Sequence, residues 1–102
     1  WTLAKCFDTA AVLSDVVLKK NYTLKGDEKI ALSVNDNTRQ SSSIANMIFP
    51  PVEIVKYISA RMKLEKGDLI FTGTPEGVGK VVVGDKINAT LENIGTVNTT
   101  IS

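Results

Sequence analysis

Leu64 to Gly79 reads LEKGDLIFTGTPEGVG, and the rest of the chain is placed around it. Gly67-Asp68 supplies a turn, and Leu69-Ile70-Phe71 is a short apolar run of strand-forming residues. Thr72-Gly73-Thr74-Pro75 ends that strand, while Gly77 and Gly79 leave the backbone free to take positive φ. A strand that empties into a Thr/Gly loop presents backbone N–H groups and hydroxyls to a ligand. Glycine and threonine alone also make an ordinary surface turn. The loop is not a phosphate-cradling P-loop. Gly73 and Gly79 are separated by five residues where that motif has four, and Val81 after Lys80 has no hydroxyl for magnesium.

Composition narrows the classes. The 102 residues make one domain at most, with room for a modest core. With 43% hydrophobic and 23% charged residues, the chain falls among ordinary soluble globular proteins. Its net charge is +1 with both signs interspersed, which leaves no electrostatic footprint for nucleic acid or an anionic membrane. No apolar run reaches the roughly 20 residues of a membrane span. The single cysteine forms no internal disulfide and suits a reducing cytoplasm, the location expected. Sequons at Asn21, Asn88 and Asn98 read as coincidence without a secretory signal. Histidine is absent, so acid–base chemistry needs a shifted Lys, Asp or Glu, or a group from outside the chain. The start at Trp1, without methionine, reads as part of something longer.

Around the glycine loop, alternation and spacing predict the other elements. In WTLAKCFDT, Lys5 lies between Leu3-Ala4 and Cys6-Phe7 with Asp8 nearby, a pattern usual for a solvated edge charge. Cys6 reads as a small buried thiol packed like a hydrophobe. Ile30, Leu32 and Val34 alternate with Lys29, Ala31 and Ser33, the period of a half-buried strand. Asp36-Asn37 fits a two-residue turn, with Thr38 to Ser41 returning as the partner strand. Arg39 and Gln40 then lie either on an exposed hairpin arm or within reach of a carboxylate or a subunit interface. Ser41 to Pro51 reads as a polar loop entering Met47-Ile48-Phe49. Pro50-Pro51 can start a helix of about residues 51–62 that packs Ile54, Val55, Ile58 and Met62 on the sheet. Val81-Val82-Val83 reads as a strand. Ile87, Ala89 and Leu91 follow on one strand and Val97, Thr99 and Ile101 on another, turned by Asn93-Ile94-Gly95.

These motifs together resemble the fumarylacetoacetate hydrolase family. Its signature reads L-x-x-G-D-[LIV]-I-x-T-G-T-P-x-G-V-G, and Leu64–Gly79 meets every fixed position. WTLAKCFDT resembles the family's W-x-x-[AG]-K-x-F-D-T, and Met47-Ile48-Phe49 its S-x-M-I-F element. Arg39-Gln40 matches the end of V-N-G-x-x-R-Q, with Asp36 in place of the glycine. The chain departs from the pattern at Cys6 and at Ala11 to Asp15, where the family often has Pro-Leu-Gly-Pro.

The resemblance implies an α+β, mainly β fold: a mixed β-roll or sandwich-like catalytic domain with one packed helix, incomplete in this chain. Residues 1–102 would be the C-terminal portion of one such domain. The implied enzymes cleave carbon–carbon bonds in acylpyruvates, decarboxylate oxaloacetate-like acids, or interconvert keto and enol forms. A divalent cation, magnesium, manganese or calcium, stabilises the developing enolate as a Lewis acid. Carried over by position, Lys5 is catalytic and, with Thr9, belongs to the metal site and its surroundings, the ammonium balancing acidic ligands. Thr74 and Gly73 meet the substrate, with Arg39 and Gln40 beside it. Gly77 and Gly79 shape the loop, and Glu76 is a solvated loop carboxylate. The Glu-x-Glu and Asn-Asp ligand motifs and the catalytic His/Glu pair are absent and expected upstream, leaving the fragment alone inactive. The implied state is a homodimer acting on a small 2-oxo acid, with no nucleic acid or membrane partner. The alternative readings are a stand-alone β-rich binding module and a degenerate, non-catalytic family member.

Overall fold

Four strands of alternating polarity form the one sheet in the computed structural model, which describes residues 2–102. After a short helix α1 (Thr2–Lys5) come β1 (Lys29–Val34), β2 (Asn37–Ser43), helix α2 (Pro51–Ser59), β3 (Lys86–Leu91) and β4 (Gly95–Thr100). The order across the sheet is β2-β1-β3-β4, antiparallel throughout. Mainly β with one substantial helix, the architecture is the α+β class expected.

The register explains the two faces. Ile30 pairs with Leu91, Leu32 with Ala89 and Val34 with Ile87, while Ala89 pairs with Val97. Side chains alternate along each strand, so these residues share one apolar face. The other face carries Ser33, Asn88, Thr90, Thr96 and Asn98. There Asn88 Nδ2 donates to Asn98 Oδ1, and the Thr90 and Thr96 hydroxyls share a hydrogen bond of 3.1 Å. Two of the sequon asparagines are thus cross-strand partners.

Both hairpins turn on residues that tolerate left-handed backbone. Asn35 and Asp36 have φ of 50° and 66°, and Val34 pairs with Asn37. The turn is therefore Asn35-Asp36, one residue earlier than the Asp36-Asn37 expected. Asn35 is favoured because its side chain clasps β3: Oδ1 accepts from Lys86 N at 2.9 Å and Nδ2 donates to Asp85 at 2.9 Å. In the β3–β4 turn, Asn93 takes φ 63°.

Three expectations are corrected. Leu69–Phe71 and Val81–Val83 lie outside the sheet. A strand needs a neighbour for its backbone groups, and apolar composition does not supply one. Ser42 and Ser43 belong to β2, not to a loop, and a 3₁₀ turn (Ile44–Asn46) follows, capped by the Ser43 hydroxyl. Helix α2 stops at Ser59, three residues short of Met62, and half-buries only Ile54 and Ile58 of its apolar face.

Little of the apolar content is covered. Val34 is the only fully buried hydrophobic among the described residues, while Ile48, Phe71 and Val83 are 89%, 73% and 76% exposed. The accessible surface is 8608 Å². A free-standing globular chain of this mass exposes roughly 5,600 Å². The radius of gyration is 14.8 Å, against about 13 Å for a compact domain of this length.

Candidate functional site

The glycine loop is held by β2. Gln40 Nε2 donates to Thr74 Oγ1 at 2.7 Å and to the Pro75 carbonyl at 2.7 Å. Arg39 Nη1 reaches the Lys80 carbonyl at 3.5 Å. Neighbouring strand residues normally face opposite ways, yet Arg39 and Gln40 both grip the loop. The register supplies the reason. Leu32 pairs with Gln40 and Ser33 with Thr38, which leaves Arg39 as the extra residue of a β-bulge. A bulge breaks the alternation and re-aims side chains.

Gly77 completes the contact. Its φ is 104°, and a Cβ there would overlap the Arg39 carbonyl oxygen and lie 3.1 Å from Gln40 Cγ. No other residue type fits this approach without moving the loop.

Beside the lock lies a cleft of about 410 Å³. Thr72, Gly73, Thr74 and Pro75 form one wall, and Ser42, Ser43 and Asn46 add polar groups from the end of β2 and the 3₁₀ turn. Ile30, Met47, Ile48 and Ile54 make the remaining surface apolar. The shape matches the usual ligand-site recipe, an apolar lining with a few placed polar groups.

Gly73, Thr74 and Gln40 thus gather at one place, with Arg39 of β2 reaching the same loop. Glu76 is exposed. Lys5 ends α1 and Thr9 follows in an N-terminal segment whose residues 2–21 are all exposed. Thr9 takes φ 65°, unusual for a β-branched residue. Cys6 is exposed rather than packed, because this segment lies on the surface instead of inside a core. Sequence reasoning missed Ser42, Ser43 and Asn46. Their signal was the Ser-rich stretch itself, read as loop because serine is a poor strand marker.

One carboxylate ties the N-terminal segment to the sheet. Glu28, 1% exposed, accepts from the Tyr22 hydroxyl at 2.7 Å, from Lys25 N at 2.8 Å and from Gly26 N at 2.9 Å. The Tyr22 hydroxyl first, then the Lys25 N–H, hold its pKa down at about 2. Asn93 Nδ2 donates to the same tyrosine oxygen at 3.4 Å. At the far end of β3, the Val82 N–H and the Asn35 amide hold Asp85 below its usual value.

Among the described residues, no three His, Cys, Asp or Glu side chains converge to hold a metal.

Known proteins are similar to this chain in sequence and shape. The model of the fumarylacetoacetate hydrolase C-terminal family matches residues 1–102. An oxaloacetate tautomerase of Oryza sativa subsp. japonica, named as mitochondrial, is 45% identical over 89 residues, covering 87% of this chain and 39% of that protein. A fumarylpyruvate hydrolase of Ralstonia sp. is 40% identical over 101 residues, covering 99% and 52%. The crystal structure of a maleylpyruvate hydrolase from Sphingobium sp. SYK-6, in complex with manganese(II) and pyruvate, superposes with a TM-score of 0.80. That match has 31% identity and covers 84% of this chain and 33% of the other. The chain spans about half or less of the length of each of these relatives.

Proposed function

The chain belongs to the fumarylacetoacetate hydrolase family, a family of enzymes, and on that footing we propose that it is the C-terminal portion of a catalytic domain acting on 2-oxo acids. The reaction is hydrolysis of an acylpyruvate, decarboxylation of an oxaloacetate-type acid or keto–enol interconversion. The relatives' names support the first and the last of these. One observation carries the reading: Thr74 stands in the cleft wall with its hydroxyl oxygen tied to Gln40. A threonine so fixed can donate to a substrate carboxylate, and loop N–H groups of Gly73 and its neighbours can share the charge.

A divalent cation, magnesium or manganese, belongs to the proposal because a relative's structure contains manganese. When bound, it supplies Lewis acidity to the oxygens of a 2-oxo acid. From this chain, Thr9 would bring a hard oxygen and Lys5 an ammonium that balances carboxylates supplied from outside residues 1–102. Lys5 would also offer its N–H groups to the substrate oxygen where charge builds up.

The uncovered surface supports the proposed homodimer. The excess of roughly 3,000 Å² over a compact chain is several times the roughly 800 Å² that one partner of a standard interface buries. It would be shared between a second copy and the rest of the domain. No described helix is long and apolar enough to cross a membrane, and a cytoplasmic location remains part of the proposal.

The test is an NMR assay of the complete protein with oxaloacetate and an acylpyruvate. Turnover that a chelator abolishes and manganese or magnesium restores is expected. Turnover untouched by chelation would refute the metal, and no turnover of either substrate would refute the reading. The 102-residue chain alone should bind magnesium more weakly than about 1 mM. A stoichiometric micromolar site on it by calorimetry would show that the ligands lie within these residues.

A further inference from the structure

We propose that Gln40 is a positioning residue that makes the Thr74 hydroxyl an obligate donor, aimed into the cleft at an acceptor oxygen of the ligand. The identity of that ligand, a 2-oxo acid carboxylate, rests on the functional reading above; the donor assignment does not. The argument begins with the side-chain amide. Both of its contacts run from Nε2, to Thr74 Oγ1 and to the Pro75 carbonyl. A carbonyl oxygen only accepts, so the nitrogen of the amide must face the loop. Thr74 Oγ1, touching the same nitrogen, accepts from it. The one hydroxyl proton of Thr74 is then directed away from Gln40, and no described residue accepts it. Thr74 borders the cleft with Gly73 and Pro75. A donor without a partner, on a cleft wall, selects an acceptor.

The fold supports this assignment twice more. The bulge at Arg39 turns Gln40 out of simple alternation and toward the loop. Gly77, without a Cβ, lets the loop seat directly on the Arg39 backbone. Strand β2 therefore fixes the hydroxyl from below, through one amide, and the loop cannot drift from it. Gln40, expected to contact substrate, acts instead through Thr74.

A double-mutant cycle in the complete protein tests this. Gln40→Leu, Thr74→Val and the double variant are titrated with pyruvate and assayed with oxaloacetate. Each single change should raise the pyruvate Kd and the KM about 10- to 100-fold, with kcat affected less. The double variant should be no more than about twofold worse than Thr74→Val alone, since the amide has nothing left to position. Effects that multiply would overturn the proposal. The isosteric Gln40→Glu covers the case in which Gln40→Leu does not fold. Its carboxylate draws the Thr74 proton to residue 40, so pyruvate binding weakens at neutral pH. The loss relative to wild type should shrink as the pH falls from about 6 to about 3.5 and the carboxyl protonates. A loss independent of pH would count against the donor assignment. If wild type neither binds pyruvate nor turns over oxaloacetate, the functional reading fails, and with it the ligand. The positioning is then decided by the amide resonances of Thr74 to Gly77 in the free protein. Gln40→Glu should shift them, and unmoved resonances would overturn it.

Discussion

The glycine loop and the N-terminal segment carry the two halves of the candidate site, and they are held in opposite ways. The loop has no regular secondary structure, yet β2 pins it through Arg39 and Gln40 and the missing Cβ of Gly77. The segment with Lys5 and Thr9 begins with a helix, yet it is exposed through residue 21 and is tied down near Tyr22 and Glu28. Regular structure does not decide which half is preorganised; contacts with the sheet do. The half that the sheet grips is built by this chain. The other half is exposed through residue 21, and its place in the site belongs to the proposal.

The largest effect should come from breaking the grip at Gly77. Gly77→Ala combines a positive-φ backbone with an overlap against Arg39, for on the order of 2–5 kcal/mol of destabilisation. If the loop moves off β2 instead, displacement by about 1 Å should lower kcat/KM by roughly 100-fold. Denaturant melts and kinetics read the two outcomes separately. A variant normal in both would show that the loop is not seated as described.

Lys5→Met tests the other half. It removes the ammonium while keeping similar bulk, so carboxylates gathered around it would repel one another. Turnover at saturating metal should fall by roughly 10- to 100-fold, and a melt of the same variant separates lost charge balance from unfolding. Unchanged turnover would make Lys5 a surface charge and leave the loop as the whole of this chain's contribution.

How much of this was legible in sequence follows the same division. Alternation at Ile30, Leu32 and Val34, and at Ile87, Ala89 and Leu91, gave the sheet, because period two is a local property. The bulge at Arg39 was not legible, since it is a mismatch between two strands. Nor was the Gln40–Thr74 bond, whose partners are 34 residues apart. Leu69–Phe71 misled because strand-forming composition is local and pairing is not. Lys5 and Thr9 were singled out by resemblance alone.

Asn35→Ala should affect stability without touching activity. It loses the hydrogen bonds to Lys86 and Asp85 and places alanine at φ 50°. A cost of about 1–3 kcal/mol is expected, with kcat/KM within about twofold of wild type, because the side-chain bonds of Asn35 run to Asp85 and Lys86 and not to the loop. A large loss of activity would show that the two ends of β2 are coupled.

The smallest effect belongs to the tie between the segment and the sheet. Glu28 titrates at about 2 in the folded chain against 4.5 as an ordinary glutamate. Its folded pKa is depressed, so its contribution is complete above about 4.5 and is lost as the pH falls toward 2. Tyr22→Phe removes the largest cause of the depression and leaves the Lys25 and Gly26 N–H groups in place. The folded pKa should then rise toward 4.5, and the gap in melting temperature between variant and wild type should be widest above pH 5. The gap should close as the pH falls through about 2, where the wild-type carboxylate too becomes protonated. A gap constant across that range would mean that the tyrosine acts by packing. A change in turnover at neutral pH comparable with that of Lys5→Met would break the comparison: the segment would then be as firmly positioned through Glu28 as the loop is through Gln40.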